Sequence, residues 1–253
     1  MTDKSRTVLL TSHSSNAWTR YFLMLDFARK FTQPYRWLFR MLREKKWNEK
    51  EFPYAQLHFS QCGEDVILAS LFANEAEGFW IDVGAFHPFH FSNTWLLYKK
   101  GWTGINVEPN PQAFALFQEH RPKDINLSIA VGDKANTSVE FWINGPYSSF
   151  SREAATVQSK NPYSVKVQTT TLAEIVRNHV PRDKQVDLLS IDCEGHDLIV
   201  LKSADWSSFH PKCLIVENPH GINAELSTFI ESLDYRLLLR IGLSCIYVRQ
   251  NYL

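Results

Sequence analysis

Three apolar runs along this chain each end in a carboxylate. Phe79-Trp-Ile-Asp-Val83 leads into Gly84, Ile105-Asn-Val-Glu108 follows, and Leu188-Leu-Ser-Ile-Asp192 comes later. Runs of four to eight apolar residues bounded by turn signals read as strands, and the segments between them carry helical spacing. The pattern predicts a helix from the Ser60–Asp65 stretch to about Phe72 and strands over 79–83, 104–108, 126–131, 187–191 and 213–217. It predicts a helix over 92–99 capped by Ser92, another opened by Pro111, and a third opened by the capping box Thr171-Leu-Ala-Glu174. Thr137–Ile143 and Val165–Thr169 alternate like an inserted antiparallel pair, and a helix at 223–232 precedes two last strands, 235–239 and 244–248. The expectation is an α/β fold with a mostly parallel sheet ending in an antiparallel hairpin. No internal repeat and no second domain of comparable size is visible.

The first 55 residues have a different texture. Residues 17–47 interleave aromatic and basic side chains, and Pro34 divides them into two expected helices. The whole chain is neutral, with 27 basic and 27 acidic residues. Residues 1–50 hold 11 basic and 4 acidic (+7), leaving 16 and 23 (−7) for the rest. The domain reading is a basic, aromatic-rich helical extension over 1–55 and one α/β domain over 56–253. Three readings of the extension stay open: packing on the main domain or on a second copy in a homo-oligomer, a substrate lid, or peripheral contact with an anionic membrane. Nucleic acid is not expected, because the remaining chain is acidic and carries no such motif.

Composition narrows the setting. A hydrophobic content of 44% with 8 Trp, 9 Tyr and 17 Phe calls for a packed core. The four cysteines, Cys62, Cys193, Cys213 and Cys245, form no CxxC pair and read as free thiols. No apolar run approaches the roughly 20 residues that span a bilayer, and no signal peptide is visible, so the expectation is a cytoplasmic protein. Lys99, Lys100 and Arg121 read as solvated charges.

Strand ends carry the chemistry. In parallel sheets the ligand crevice lies beyond the carboxyl ends of the strands. Asp82-Val-Gly-Ala-Phe-His-Pro88 lacks the later glycines of a dinucleotide loop, which argues against NAD and FAD. One glycine that lets the backbone approach, followed 26 residues after Asp82 by an acid for a ribose diol at Glu108, suits a nucleoside without phosphate. S-adenosylmethionine is such a ligand: Asp82 would meet its amino acid end and Glu108 its ribose.

The chain resembles the FkbM-type S-adenosylmethionine-dependent methyltransferases from about Phe59 to Tyr235. The resemblance rests on Ser60-Gln-Cys-Gly-Glu-Asp65, Phe79-Trp-Ile-Asp-Val-Gly-Ala85, Ser92-Asn-Thr94, Gly101-Trp-Thr-Gly-Ile-Asn-Val-Glu-Pro-Asn-Pro111, Ala130-Val-Gly132, Thr171-Leu172 and Ile191-Asp-Cys-Glu-Gly-His196, in this order. It implies a class I methyltransferase (Rossmann-like) fold with a seven-stranded sheet, and methylation of a hydroxyl, often on a sugar or secondary metabolite. Carried over by position, Gln61 and Glu64 would close over the methionine moiety, and Asp82, Gly84 and Ala85 form the first cofactor loop. Asn93 would hold the methionine carboxylate region, Pro109 and Asn110 would shape the adenine edge beside Glu108, and Ala130 and Val131 would flank adenine.

Catalytic candidates cluster in Asp192-Cys-Glu-Gly-His196, where the fourth strand meets a helix. Methyl transfer to a hydroxyl needs a base, and His196 is the first choice, Glu194 the second. Against these stand a helix-capping Glu194 and a structural His196. Asp192, Glu217 and Asn218 make an oxygen donor set that suits Mg²⁺. His220 reads as a loop residue or part of the acceptor site. Trp142, Tyr147-Ser-Ser-Phe150 and the loop at Asn161-Pro-Tyr163 read either as an aromatic floor for a sugar ring or as a hairpin with its own small core. The function expected is O-methylation of a sugar, glycan or glycosylated metabolite. The alternatives are a non-catalytic S-adenosylmethionine-binding module docking through its basic arm, and an N-methyltransferase.

Overall fold

In the computed structural model, which describes residues 56–156, 162–219 and 223–252, the apolar runs become strands β1 (Phe79–Val83), β2 (Thr103–Val107), β3 (Ile125–Leu127), β4 (Ala130–Val131), β5 (Ser138–Ile143), β6 (Tyr163–Thr170), β7 (Leu188–Ile191), β8 (Cys213–Glu217), β9 (Tyr235–Ile241) and β10 (Ser244–Arg249). The helices are α1 (Glu64–Leu71), α2 (Trp95–Lys99), α3 (Pro111–His120), α4 (Arg152–Thr156), α5 (Leu172–His179), α6 (Asp197–Lys202) and α7 (Ala224–Glu231). The aromatic, basic segment before residue 56 lies outside the described residues, as do Asn161 and His220.

Seven strands form one sheet in the order β3-β2-β1-β7-β8-β10-β9. The first five run parallel, and β10 is antiparallel to both β8 and β9. This is the expected class I methyltransferase topology. All five residues of β1 and all four of β7 are buried, because helices cover both faces of the sheet. Phe79, Ile81 and Val83 face one core with Leu189, Ile191, Leu214 and Val216, while Trp80 faces the other with Leu188, Cys213 and Ile215. Chain order reverses between β1 and β7, and the crevice opens where those two strands end.

Local chemistry sets the helix starts. Pro111 opens α3, and the Asn110 side chain accepts from Gln112 N at 3.0 Å. Half of the expected capping box forms at α5: Thr171 Oγ1 accepts from Glu174 N, while the Glu174 carboxylate turns to Thr170 Oγ1 and Arg177. Helix α2 starts at Trp95, later than the 92–99 expected, yet Ser92 Oγ still accepts from Trp95 N at 3.2 Å.

Two expectations change. The strand read as continuous over 126–131 is two strands in two sheets. β3 pairs with β2, and after Ser128-Ile129 the chain crosses over, so that β4 pairs with β6 in a second sheet ordered β4-β6-β5. That step carries Ala130 and Val131 over the crevice. The inserted pair forms as expected, with Phe141, Ile143, Val167 and Ala130 in a small core of its own. Second, Arg121 is no solvated charge: it is 0% exposed. All four cysteines are free; Cys213 and Cys245 are buried, and Cys62 is exposed. Among the described residues no helix is long and apolar enough to cross a membrane.

Candidate active site

Three clefts meet beyond the ends of β1, β2, β7 and β8. One, of about 530 Å³, has apolar walls of Ile129, Val131, Phe141 and Phe150, with Glu108 and Pro109 at its edge. The second, of about 450 Å³, is polar and is lined by Gln61, Asp82, Ala85, Asn93, Ser190 and Asp192. Gly84, Phe86, Pro146, Asp192 and Glu194 line both, so the two are continuous. The third, of about 550 Å³, runs between the turn after β7 and the segment after β8, with Glu194, Asp197, Glu217, Asn218 and Asn223 in its walls. Glu194 lines all three.

Glu108 leaves the end of β2 nearly buried. Its Oε2 accepts from Phe86 N at 2.8 Å and its Oε1 from Asn110 N at 2.7 Å. Burial raises its pKa to about 7 against the pull of those two N–H groups. Each oxygen keeps a lone pair for a further donor. Asp82, one strand over, accepts from Thr94 Oγ1 at 3.1 Å and also bonds to Ser190. Burial raises its pKa, and Ser190, Arg121 and Thr94 oppose the rise. Asn93 Nδ2 donates to Ser190 Oγ at 3.3 Å, which ties the loop after β1 to β7.

The turn after β7 is built on two left-handed residues, Glu194 (φ 49°) and Gly195 (φ 93°). Asp197, the first residue of α6, holds it: Oδ1 accepts from Cys193 N and Oδ2 from Gly195 N. No side chain caps the first turn of α6, so the capping role weighed for Glu194 is not seen, and Glu194 lines the clefts. Burial raises Glu194 to about 7, and the charges of Asp192 and Asp197 add to it. Carboxylate oxygens of Asp192, Glu194 and Glu217 lie within 4.8 Å of one another. Asp192 and Glu217 are hydrogen-bonded, a contact between two carboxyls that requires a proton. Burial and the charge of Glu217 raise Asp192 well above the usual carboxylate range, and burial and Glu194 raise Glu217 to about 7.

Most residues read from the sequence converge here. Gln61, Asp82, Gly84, Ala85, Asn93 and Asp192 line the polar cleft, and Gly84, Glu108, Pro109, Ala130, Val131 and Asp192 line the apolar one. Four do not fit as read. Glu64 is buried at the start of α1, where its Oε2 accepts from Cys62 N. Asn110 spends its side chain capping α3. His196 lines none of the three clefts; its half-buried ring packs on Phe150 at 4.7 Å, and burial lowers its pKa. Asn218 Oδ1 accepts from Asn223 N, and its Nδ2 donates to Asn223 O and Ser227 Oγ, so Glu194 takes its place beside Asp192 and Glu217. His87 also faces away, its Nδ1 accepting from Phe89 N and His90 N.

Sequence reasoning missed Ser190, Asp197 and Pro146, and it read Tyr147–Phe150 as a sugar floor or a hairpin core rather than as a wall of the apolar cleft. Ser190 had a signal, a lone hydroxyl in an apolar run two residues before the acid. Pro146 had none, because it reaches the clefts only through the fold of the inserted sheet, while Phe150 both lines the apolar cleft and packs on the small core. Trp142 serves that sheet and packs under the Arg152 guanidinium at 5.1 Å.

The sequence pattern of the methyltransferase FkbM domain matches residues 82–237. The chain belongs to the FkbM methyltransferase family. Among solved structures it is similar to methyltransferase FkbM from Methylobacillus flagellatus KT, at 14% identity over 68% of this chain and 44% of that one, with a TM-score of 0.44. This chain thus spans less than half of that protein's length. It is also similar to a TehB-like SAM-dependent methyltransferase from Corynebacterium glutamicum ATCC 13032 Kitasato, at 10% identity over 82% of this chain and 96% of that one, with a TM-score of 0.38. No curated protein matches. The family is one of S-adenosylmethionine-dependent methyl transfer. The residues present fit that cofactor: a buried carboxylate with free lone pairs beside an apolar slot, continuous with a polar cleft at Asp82.

Proposed function

We propose that this FkbM-family chain is an O-methyltransferase whose acceptor is a sugar or other polyol without an anionic group. The observation that carries the reading is the position of Glu194, among the described residues the one that lines all three clefts, with a pKa of about 7. Glu108 holds the ribose diol, Pro109, Ala130 and Val131 flank adenine with Phe141 and Phe150, and Asp82, Gln61 and Asn93 hold the amino acid end. Bound there, S-adenosylmethionine supplies the reactive methyl group. The acceptor lies in the third cleft, whose charged lining residues among those described are Glu194, Asp197 and Glu217, all acidic. Such walls repel phosphate, sulfate and carboxylate and take hydroxyls as donors. Glu194, ionised, accepts the proton that the acceptor hydroxyl gives up; a general base contributes about 10²–10⁴-fold to such a step. His196 supports the turn from behind through Phe150.

The same acidic walls favour an ammonium, which keeps N-methylation as the second reading. Mg²⁺ at the set read from the sequence is not part of the proposal, because the Asn218 side chain is committed to Asn223 and Ser227. Incubation with methyl-labelled S-adenosylmethionine and matched neutral sugars, amino sugars, uronic acids and sugar phosphates tests the reading. Methyl ethers on neutral members support it. Methylamines shift it to the second reading, and labelling of the acidic members alone overturns it.

A further inference from the structure

Arg121 follows α3 and points its side chain into the protein, where it is 0% exposed. Its guanidinium sits among four rings, 4.9 Å from the Tyr98 centroid, 5.1 Å from Trp95, 5.7 Å from Trp80 and 5.9 Å from Phe117. A buried cation is costly, and an apolar residue would fill such a box at less cost. One carboxylate pairs with it, Asp124 at 3.4 Å. The rest of its fork grips the loop after β1: Nε donates to Pro88 O at 2.9 Å, Nη2 to Ser92 Oγ at 2.9 Å, and Nη1 and Nη2 to Thr94 Oγ1 at 3.3 and 3.4 Å.

The Thr94 contact has a consequence for the cofactor cleft. A guanidinium only donates, so the Thr94 hydroxyl must accept from Arg121. Its single proton is then left for Asp82 Oδ2, 3.1 Å away. Ser92 Oγ also lies 3.4 Å from Thr94 Oγ1, but it already accepts from Trp95 N and Arg121 Nη2, so the Thr94 proton goes to Asp82, whose Oδ2 must be an acceptor. Ser190 holds the same carboxyl group from β7.

We propose that Arg121 is a positioning residue for the cofactor: acting through the Thr94 hydroxyl, it fixes the Asp82 carboxylate at the polar cleft as the acceptor for the ammonium group of the methionine moiety. This rests on the reading that Asp82 meets that group. The relay also joins the loop that carries Phe86 and Asn93 to the same anchor, so one buried side chain sets both the loop and the acid.

The test is titration of the full chain with S-adenosylhomocysteine, in wild type, Thr94→Val, Thr94→Ser, Asp82→Asn and the Thr94→Val/Asp82→Asn double variant, each checked for folding by circular dichroism. Thr94→Val is expected to weaken binding about tenfold, the scale of one hydrogen bond to a charged group. Thr94→Ser, which keeps the hydroxyl, stays near wild type. The double variant binds no worse than Asp82→Asn alone, because the hydroxyl acts only through Asp82. Arg121→Lys keeps the charge but not the fork, and repeats the Thr94→Val loss; if it fails to fold, the Thr94 variants carry the test. Losses at Thr94 and Asp82 that add, or wild-type binding by Thr94→Val, overturn the inference while leaving the Asp82 reading intact. Wild-type binding by Asp82→Asn overturns both.

Discussion

Gly84 and Asp192 touch across the switch point: a β-carbon on Gly84 would stand 1.9 Å from the Asp192 carbonyl oxygen. Gly84 is also left-handed, at φ 78°. The glycine after the first strand thus serves two ends. It lets β1 and β7 close together where they leave the sheet, and it lines both cofactor clefts. Gly84→Ala is expected to cost on the order of 2–4 kcal/mol of stability, from the contact and the strained φ together. Denaturant unfolding measures it, and an unchanged midpoint would show that the strand ends move apart freely.

The two cofactor clefts separate the ligand into halves. Adenosine fills only the apolar one. Its binding is expected to fall about tenfold or more in Glu108→Gln, where an ionic acceptor of the diol is lost, and to stay unchanged in Asp82→Asn. S-adenosylhomocysteine weakens in both. Adenosine binding that depends on Asp82 would place the nucleoside in the wrong cleft.

Acid pKa values near neutrality make both stability and rate depend on pH. Burial raises Glu108, Glu194 and Glu217 to about 7 and Asp197 to about 6, with neighbouring acids adding to the rise at Glu108, Glu194 and Glu217. The folded chain therefore binds more protons than the unfolded chain between the ordinary carboxylate range and about pH 7. That stability is fully present below the unfolded pKa values and is lost as pH rises through the folded ones. Thermal unfolding without cofactor should show a falling melting temperature from about pH 5 to about pH 8. The methyl transfer rate runs the other way, rising through about pH 7 as Glu194 ionises, and Glu194→Gln removes that rise. A rate profile unchanged in Glu194→Gln and flattened in His196→Gln would return the base to His196.

Chelation tests the acidic trio. With Asn218, a ligand of the set read from the sequence, bound instead to Asn223 and Ser227, transfer by protein treated with EDTA is expected to match that of untreated protein. Activity lost to EDTA and restored by Mg²⁺ would make Asp192, Glu194 and Glu217 a metal site.

Much of this architecture was legible in the order of residues, for a physical reason. Strands buried on both faces must be apolar throughout, so Asp82, Glu108 and Asp192 stood out as the points where strands leave the core. Helix starts were legible where a side chain caps locally, as at Asn110 and Thr171. What stayed hidden depends on distance in space. Arg121 looked solvated because its wall residues, Trp80, Trp95, Tyr98 and Phe117, come from three elements, β1, α2 and α3, that meet only in the fold. His196 carries the more familiar catalytic side chain, yet α6 turns its ring onto Phe150 and leaves the clefts to Glu194. Asn218 offered an oxygen by its position after β8, but the segment before α7 claims it. The split of β3 from β4 was invisible because both halves are apolar and only their partners differ.

The most direct test of the central claim is calorimetric titration of the purified chain with S-adenosylhomocysteine, beside the Asp82→Ala/Glu108→Ala double variant. Saturable one-to-one binding by the wild type, displaced by S-adenosylmethionine and absent from the folded double variant, is the predicted result. No binding by the wild type, or equal binding by both, would contradict it and remove the cofactor from the clefts at the ends of β1 and β2.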